Sequence, residues 1–346
     1  MSSHAEDVRP RAVVFGCGGS ALTPEEKAFF AETDPAGFIL FERNCETPAQ
    51  ARALVAALRD AVGRRDAPVL IDQEGGRVAR LRPPHWRAAP PARAFGELAR
   101  RDPAAGAEAA RLNGRLIAAE LGELGITVDC APVLDVPVPD AHDVIGDRAF
   151  GTEAPVVARL SRAFADALIA GGVLPLIKHI PGHGRAVVDS HAELPRVAAP
   201  LSLLRATDFV PFKGLADAPW AMTAHVLYEA VDDRPATQSR RVIEEVIRGE
   251  IGFEGVLISD DLSMEALDGG LGDRAAAALA AGCDLVLHSS GALAEMEEVV
   301  AGAGPLSEAA ARRCTRARNR LREPEAVDAE AVRSRLEALL SGGVAA

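Results

Sequence analysis

The chain has 346 residues, 48% of them hydrophobic, and a formal net charge of −12. That length admits one large α/β barrel or two smaller domains. Acidic and basic residues are interspersed without long blocks, so no basic stripe offers itself to a phosphate backbone and nucleic acid is not an expected partner.

An apolar run at 11–15 (RAVVF) predicts the first strand, and the Thr23-Pro24-Glu25-Glu26 signal beyond the glycine turn at 16–19 opens a helix. A second strand is predicted at 37–41. Its helix starts at Thr47-Pro48 and carries Leu54, Val55, Leu58 and Val62 at helical spacing. The third strand, 68–71, runs straight into DQEGGR at 72–77, and a proline-rich excursion follows at 82–91. A long helix over 104–124 stops at Gly125, and the fourth strand is expected at 126–129, continuing through 132–135. After a helix at 155–170 come strands at 172–177, 220–224, 255–259 and 283–288, with helices at 240–248 and 274–281 and a helical tail over 306–340.

Eight largely apolar strands alternating with helices are what a (β/α)8 TIM barrel requires, with a doubly wound sheet as the rival. The expected organisation is an N-terminal tail over 1–10 and one domain over 11–346 that includes the C-terminal helices. No cationic start followed by an apolar core precedes the first strand, and no apolar window approaches ~18 residues, so an unexported cytoplasmic protein without a membrane partner is expected. Cys17, Cys45, Cys130, Cys283 and Cys314 are widely spaced and lack a Cys-x-x-Cys pair, which favours reduced structural thiols.

The stretch 178–191 (KHIPGHGRAVVDSH) holds three of the eight histidines and one of the three lysines. Pro181, Gly182 and Gly184 forbid a regular helix there, so these side chains must be displayed on a loop. Asp72, Asp135, Lys178, His179, His225, Asp260 and His288 all fall at predicted C-terminal strand ends, where barrel enzymes keep their chemistry. Successive strand residues face opposite ways, so of Asp260 and Asp261 only Asp260 is expected to face the barrel mouth. Asp261 would then cap a helix at 262–265. Asp189, two residues before His191, is placed to orient that ring and favour its protonated form.

His179, His183, His191 and Asp189 are also metal-ligand types. Pro181-Gly182 destroys the helical face that an i, i+4 pair needs, however, so no metal is expected. Asp72, Arg80, Arg148, Lys178 and His179 supply the donors and acceptors that gripping several sugar hydroxyls demands. No Gly-x-Gly-x-x-Gly arrangement or phosphate loop occurs, and no cofactor is expected.

Taken together, IDQEGGRVARL (71–81), APVLDV (131–136), IGDRAFG (145–151), KHIPGHG with DSH, MTAHV (222–226) and ISDDLSM (258–264) resemble the family 3 glycoside hydrolases. More narrowly, they look like the single-domain β-N-acetylhexosaminidases of bacterial peptidoglycan recycling. The resemblance spans 11–289. It implies Asp260 as nucleophile, His191 as acid/base with Asp189 its partner, and Asp72, Arg80, Arg148, Lys178 and His179 around an N-acetylglucosamine ring. It also implies a retaining exo-β-N-acetylglucosaminidase, acting as a monomer on GlcNAc-containing muropeptides. Ile180 departs from the aromatic residue that many relatives carry, and the tail is less recognisable. The rival readings are a phosphorylase of the same fold, a substrate-assisted glycosidase with Asp260-Asp261 as supporting pair, and a non-catalytic sugar-binding protein.

Overall fold

In the computed structural model, which describes residues 9–342, eight parallel strands close into a barrel. They are β1 (Arg11–Phe15), β2 (Pro35–Leu40), β3 (Val69–Ile71), β4 (Val128–Asp129), β5 (Leu174–Ile180), β6 (Trp220–Thr223), β7 (Val256–Asp261) and β8 (Leu285–His288). Each pairs with its neighbours in sequence, and Val13 opposite Val286 closes the ring between β1 and β8. The expected (β/α)8 TIM barrel is the observed fold. Positions 1–8 of the expected tail, and 343–346, lie outside the described residues.

Strand alternation builds two apolar layers. Val14, Ile39, Leu70, Val128, Leu174, Leu176, Met222, Val256, Ile258 and Leu287 fill the barrel interior. Their neighbours Val13, Phe38, Val69, Ile177, Ala221, Leu257 and Val286 face the surrounding helices. The period of two therefore sorts each strand into an inner and an outer set.

Helix starts follow their local signals. Thr23 caps the helix Pro24–Thr33 by accepting from Glu26 N–H at 3.1 Å, while the Glu26 carboxylate accepts from Thr23 N–H at 2.8 Å. Asp102 caps Pro103–Leu124 through two backbone N–H groups, and Gly125 ends that helix at φ 79°.

Several boundaries differ from expectation, the end of β7 at Asp261 instead of Ser259 among them. β2 begins at Pro35, where a strand's first residue tolerates the missing N–H. β4 is only Val128–Asp129, because Pro132 lacks the donor that would continue the ladder; Val133 rejoins it as a single bridge to Lys178. β5 extends to Ile180 and so carries Lys178 and His179 within it. The tail is two helices, Glu308–Arg318 and Ala329–Leu340, parted by an irregular stretch containing Pro324.

Candidate active site

The inward parity of the barrel continues past its apolar core. Leu70 is followed at i+2 by Asp72, Leu176 by Lys178 and Ile258 by Asp260, so the same alternation that fills the barrel delivers charged groups at its C-terminal mouth. There they line a cavity of about 400 Å³ that also takes in Phe41, Arg80, Arg148, His179, His183 and His191. Its volume falls in the ~300–1,000 Å³ range of small-molecule sites. A second cavity, about 250 Å³, lies at the N-terminal strand ends and is mostly apolar, with Trp220, Leu285 and Leu306 in its wall.

One wall of the mouth is a buried charge network. Asp72 accepts from Lys178 Nζ at 2.7 Å and from Arg80 Nη2 at 2.9 Å. Lys178 also meets Glu74 Oε1 at 2.6 Å, and Arg148 grips Glu74 through two parallel bonds of 2.9 Å. Burial pushes the Asp72 carboxyl up, but Lys178 and Arg80 outweigh it and hold it well below the usual carboxylate range. Burial pushes Glu74 up as well, and Arg148 and Lys178 reverse it. Burial would lower Lys178, yet Asp72 and Glu74 raise it above the ordinary lysine value. Asp72, Glu74 and Lys178 are thus locked as ions, and the Arg80 guanidinium lies 4.9 Å from the Phe41 ring centroid.

Asp135, on the segment after β4, organises a second group. Its Oδ2 accepts from His179 Nδ1 at 2.7 Å, and its Oδ1 accepts the His183 N–H at 2.6 Å. Alternation alone would turn His179 away from the mouth. The β5–β6 register shifts between Lys178 and Ile180, which lets both residues reach the cavity.

The same device operates on β7, where the register with β8 shifts between Ile258 and Asp261. Both Asp260 and Asp261 consequently line the cavity, which corrects the expectation that only Asp260 would. Nor does Asp261 cap a helix. Residues 262–265 form a turn, in which Asp261 Oδ1 accepts the Ser263 N–H at 3.0 Å while Ser289 Oγ donates to Oδ2.

Asp261 N–H donates to Asp260 Oδ1 at 2.8 Å, and Asp260 Oδ2 has no hydrogen-bond partner among the described residues. Burial pushes the Asp260 carboxyl up, but the imidazoles of His179 and His225 and the Asp261 N–H prevail and hold it below its ordinary value. It is an ionised carboxylate with one oxygen uncommitted. His225, fully buried, donates from Nε2 to the Asp261 carbonyl at 3.0 Å and meets Thr237 Oγ1 through Nδ1 at 2.7 Å.

Asp189 and His191 sit on the loop after β5. The His191 ring is 67% exposed and bonds through Nδ1 to Asp189 Oδ1 at 2.7 Å. Partial burial raises Asp189, and the backbone and ring donors of His191 lower it to a net value below the ordinary one. A carboxylate only accepts, so Nδ1 carries the hydrogen and Nε2 is the nitrogen available to a substrate.

Seven of the eight expected site residues therefore line one cavity, and Asp189 stands behind His191. The three loop and strand histidines do not converge on a point: their rings bond to Asp135, Ser190 and Asp189 respectively. The sequence reading left Glu74, Phe41 and the partner role of Asp135 unassigned. The first two continue the inward parity of Asp72 and Ile39, a signal that strand counting carries; the Asp135 contact depends on a pairing 44 residues apart.

Residues 12–318 match the family model for the glycosyl hydrolase family 3 N-terminal domain. The chain is 42% identical over 284 residues to a β-hexosaminidase of Bordetella avium, covering 80% of each. It is 41% identical over 281 residues to a β-hexosaminidase of Xanthomonas axonopodis pv. citri, covering 80% of this chain and 82% of the relative. A NagZ from Neisseria gonorrhoeae, solved in complex with N-trifluoroacetyl-D-glucosamine, superposes with a TM-score of 0.83 at 32% identity over 96% of this chain and 97% of that one. A β-N-acetylhexosaminidase from Beutenbergia cavernae superposes with a TM-score of 0.75 at 28% identity over 89% and 96%. The chain is a glycoside hydrolase and belongs to glycosyl hydrolase family 3.

Proposed function

We propose that the chain is a retaining exo-β-N-acetylglucosaminidase that removes GlcNAc from peptidoglycan-derived muropeptides. The observation that carries this reading is the convergence of an ionised Asp260, with Oδ2 uncommitted, and the available His191 Nε2 on one cavity walled by hydrogen-bonding ions. The names of the relatives and the glucosamine derivative in the gonococcal structure support the choice of sugar.

Asp260 Oδ2 attacks the anomeric carbon while His191, protonated on Nε2, gives its proton to the departing glycosidic oxygen. The result is a glycosyl ester on Asp260 and a neutral imidazole. His191 then takes a proton from water as that water attacks the anomeric carbon, which releases the sugar and restores both groups. Most retaining glycosidases use two carboxylates ~5–5.5 Å apart; an imidazole here takes the place of the second. Asp189 keeps the hydrogen on Nδ1 and stabilises the imidazolium. Asp72, Arg80, Arg148, Lys178 and His179 hold the sugar hydroxyls and acetamido group, their charges preset by the network beneath them.

The stretch 11–346 works as one domain in this reading, supported by the closure of β1 against β8 and by the bond from Leu306 N–H to Pro10 O that ties the tail to the barrel. A cytoplasmic monomer is the proposed form. Five unpaired cysteines fit a reducing compartment, and among the described residues no helix is long and apolar enough to cross a membrane. Turnover of an aryl β-N-acetylglucosaminide tests the assignment: wild type hydrolyses it without phosphate, and Asp260→Ala and His191→Ala are severely impaired. Equal rates for all three contradict it, and a strict need for phosphate points to phosphorolysis.

A further inference from the structure

The loop that carries Asp189 and His191 is held very unevenly. Its first part, 182–186, is bolted down. Tyr228 Oη donates to Gly182 O at 2.6 Å, His183 N–H reaches Asp135 at 2.6 Å, and Arg185 pairs with Asp208 at 2.7 Å. Val138 N–H bonds to Gly184 O at 3.1 Å, and His142 N–H bonds to Ala186 O at 2.8 Å.

Beyond Ala186 the chain rises into solvent, with Val187 58% exposed. Across 187–191 only Ser190 is buried, at 3% exposure. Among the described residues, two hydrogen bonds tie this segment to residues outside the loop's own turn. One is a long backbone contact, Glu265 N–H to His191 O at 3.4 Å; the other joins Ser190 Oγ to His183 Nε2 at 3.1 Å.

The His183 ring is 3% exposed, and its Nδ1 has no partner among the described residues. Burial, with His179 nearby, lowers its pKa to about 4, so the ring is neutral and holds one hydrogen. An N–H buried without an acceptor is costlier than an unused lone pair, which places that hydrogen on Nε2 and makes His183 the donor to Ser190.

Ser190 lies between Asp189 and His191 in sequence. A side-chain bond that fixes Ser190 therefore restrains both its neighbours at the cavity that His191 shares with Asp260. We propose that His183 is a positioning residue for proton transfer, acting through Ser190 to seat the Asp189–His191 pair at the sugar's leaving oxygen. Its N–H and ring hydrogen bonds run to Asp135 and Ser190 and not to Asp260. The proposal rests on the reading of His191 as the acid/base.

The experiment measures kcat and KM on a series of aryl β-N-acetylglucosaminides, from 2,4-dinitrophenyl to poorly departing phenols, for Ser190→Ala, His183→Ala, the double variant, His183→Gln and His191→Ala. Ser190→Ala removes one oxygen and guards against a folding artefact in His183→Ala. Misplacing a catalytic group by a fraction of an ångström costs about tenfold, so each single variant loses about tenfold in kcat/KM on poor leaving groups and little on 2,4-dinitrophenyl. KM stays near wild type. The double variant loses no more than either single one, and His183→Gln, whose amide replaces the Nε2 donor, recovers most of the loss.

Losses that multiply in the double variant, that are equal across all leaving groups, or that appear as a rise in KM alone overturn the proposal. Wild-type behaviour of Ser190→Ala beside a disabled His191→Ala also overturns it and leaves the acid/base reading standing. A His191→Ala variant without any leaving-group dependence sinks the acid/base reading itself.

Discussion

Asp189 Oδ1 accepts two hydrogen bonds from His191, the backbone N–H at 3.0 Å and the ring Nδ1 at 2.7 Å. Both donors converge on one oxygen, so backbone and ring are fixed together and the imidazole keeps Nε2 outward. Asp189→Asn preserves the shape, and an amide oxygen at the Oδ1 position still accepts both donors, but the negative charge that stabilises the imidazolium is lost. Proton-transfer catalysis is worth ~10²–10⁴-fold, and kcat of Asp189→Asn should fall within that range while KM changes little. Steady-state kinetics on an aryl substrate checks this; a variant that loses only binding contradicts it.

Lys178 neutralises two carboxylates, Asp72 at 2.7 Å and Glu74 at 2.6 Å, in a site where its own side chain is 2% exposed. Lys178→Met keeps the stem and removes the charge, which leaves two buried anions sharing only Arg80 and Arg148. Removing one partner of a buried ion pair costs ~3–5 kcal/mol, and urea unfolding should show a loss of that order together with a large rise in KM. A stable variant with normal KM would mean that the network neither supports the fold nor holds the sugar.

His183, His225 and His288 are all pushed down, each chiefly by burial. In the unfolded chain such rings take a proton near pH ~6.5. Folded, His183 does so only at about 4, so the unfolded state binds more protons in that window and stability falls as pH drops through it. Chemical denaturation at a series of pH values should show this slope, and His183→Gln should flatten it. Below that window the depressed carboxyls of Glu74 and Asp135 continue the loss.

Gly184 leaves no room for a side chain, since a Cβ there would stand 2.2 Å from the Val136 carbonyl oxygen. Gly184→Ala must therefore lift the loop off the segment after β4. The expected outcome is a clear fall in kcat on poor leaving groups with little loss of thermal stability. A variant that is destabilised but has normal kcat when folded would separate the loop's anchor from its chemistry.

Much of this architecture is legible in strand parity. Leu70-x-Asp72, Leu176-x-Lys178 and Ile258-x-Asp260 each step from core to mouth, and a reader who counts by two reaches Glu74 as well. Counting fails at His179 and Asp261, because a register shift depends on the partner strand and leaves no mark in the residues themselves. The shortened β4 and the divided tail were visible in Pro132 and Pro324, whose missing N–H outweighs the apolar pattern around them. The contacts of Asp135 with His179 and of His225 with the Asp261 carbonyl join segments that follow or end different strands and come only with the closed barrel.

In the proposed mechanism Asp260 Oδ2 becomes bonded to the sugar. A mechanism-based N-acetylglucosaminide with a fast-departing aglycone and a slowed second step, followed by intact mass and peptide mapping, tests it most directly. One glycosyl unit per chain is expected, carried on the peptide containing Asp260 and absent from Asp260→Ala. Turnover of substrate with no adduct on Asp260 under conditions that accumulate the intermediate, or an adduct on Asp261, would contradict it.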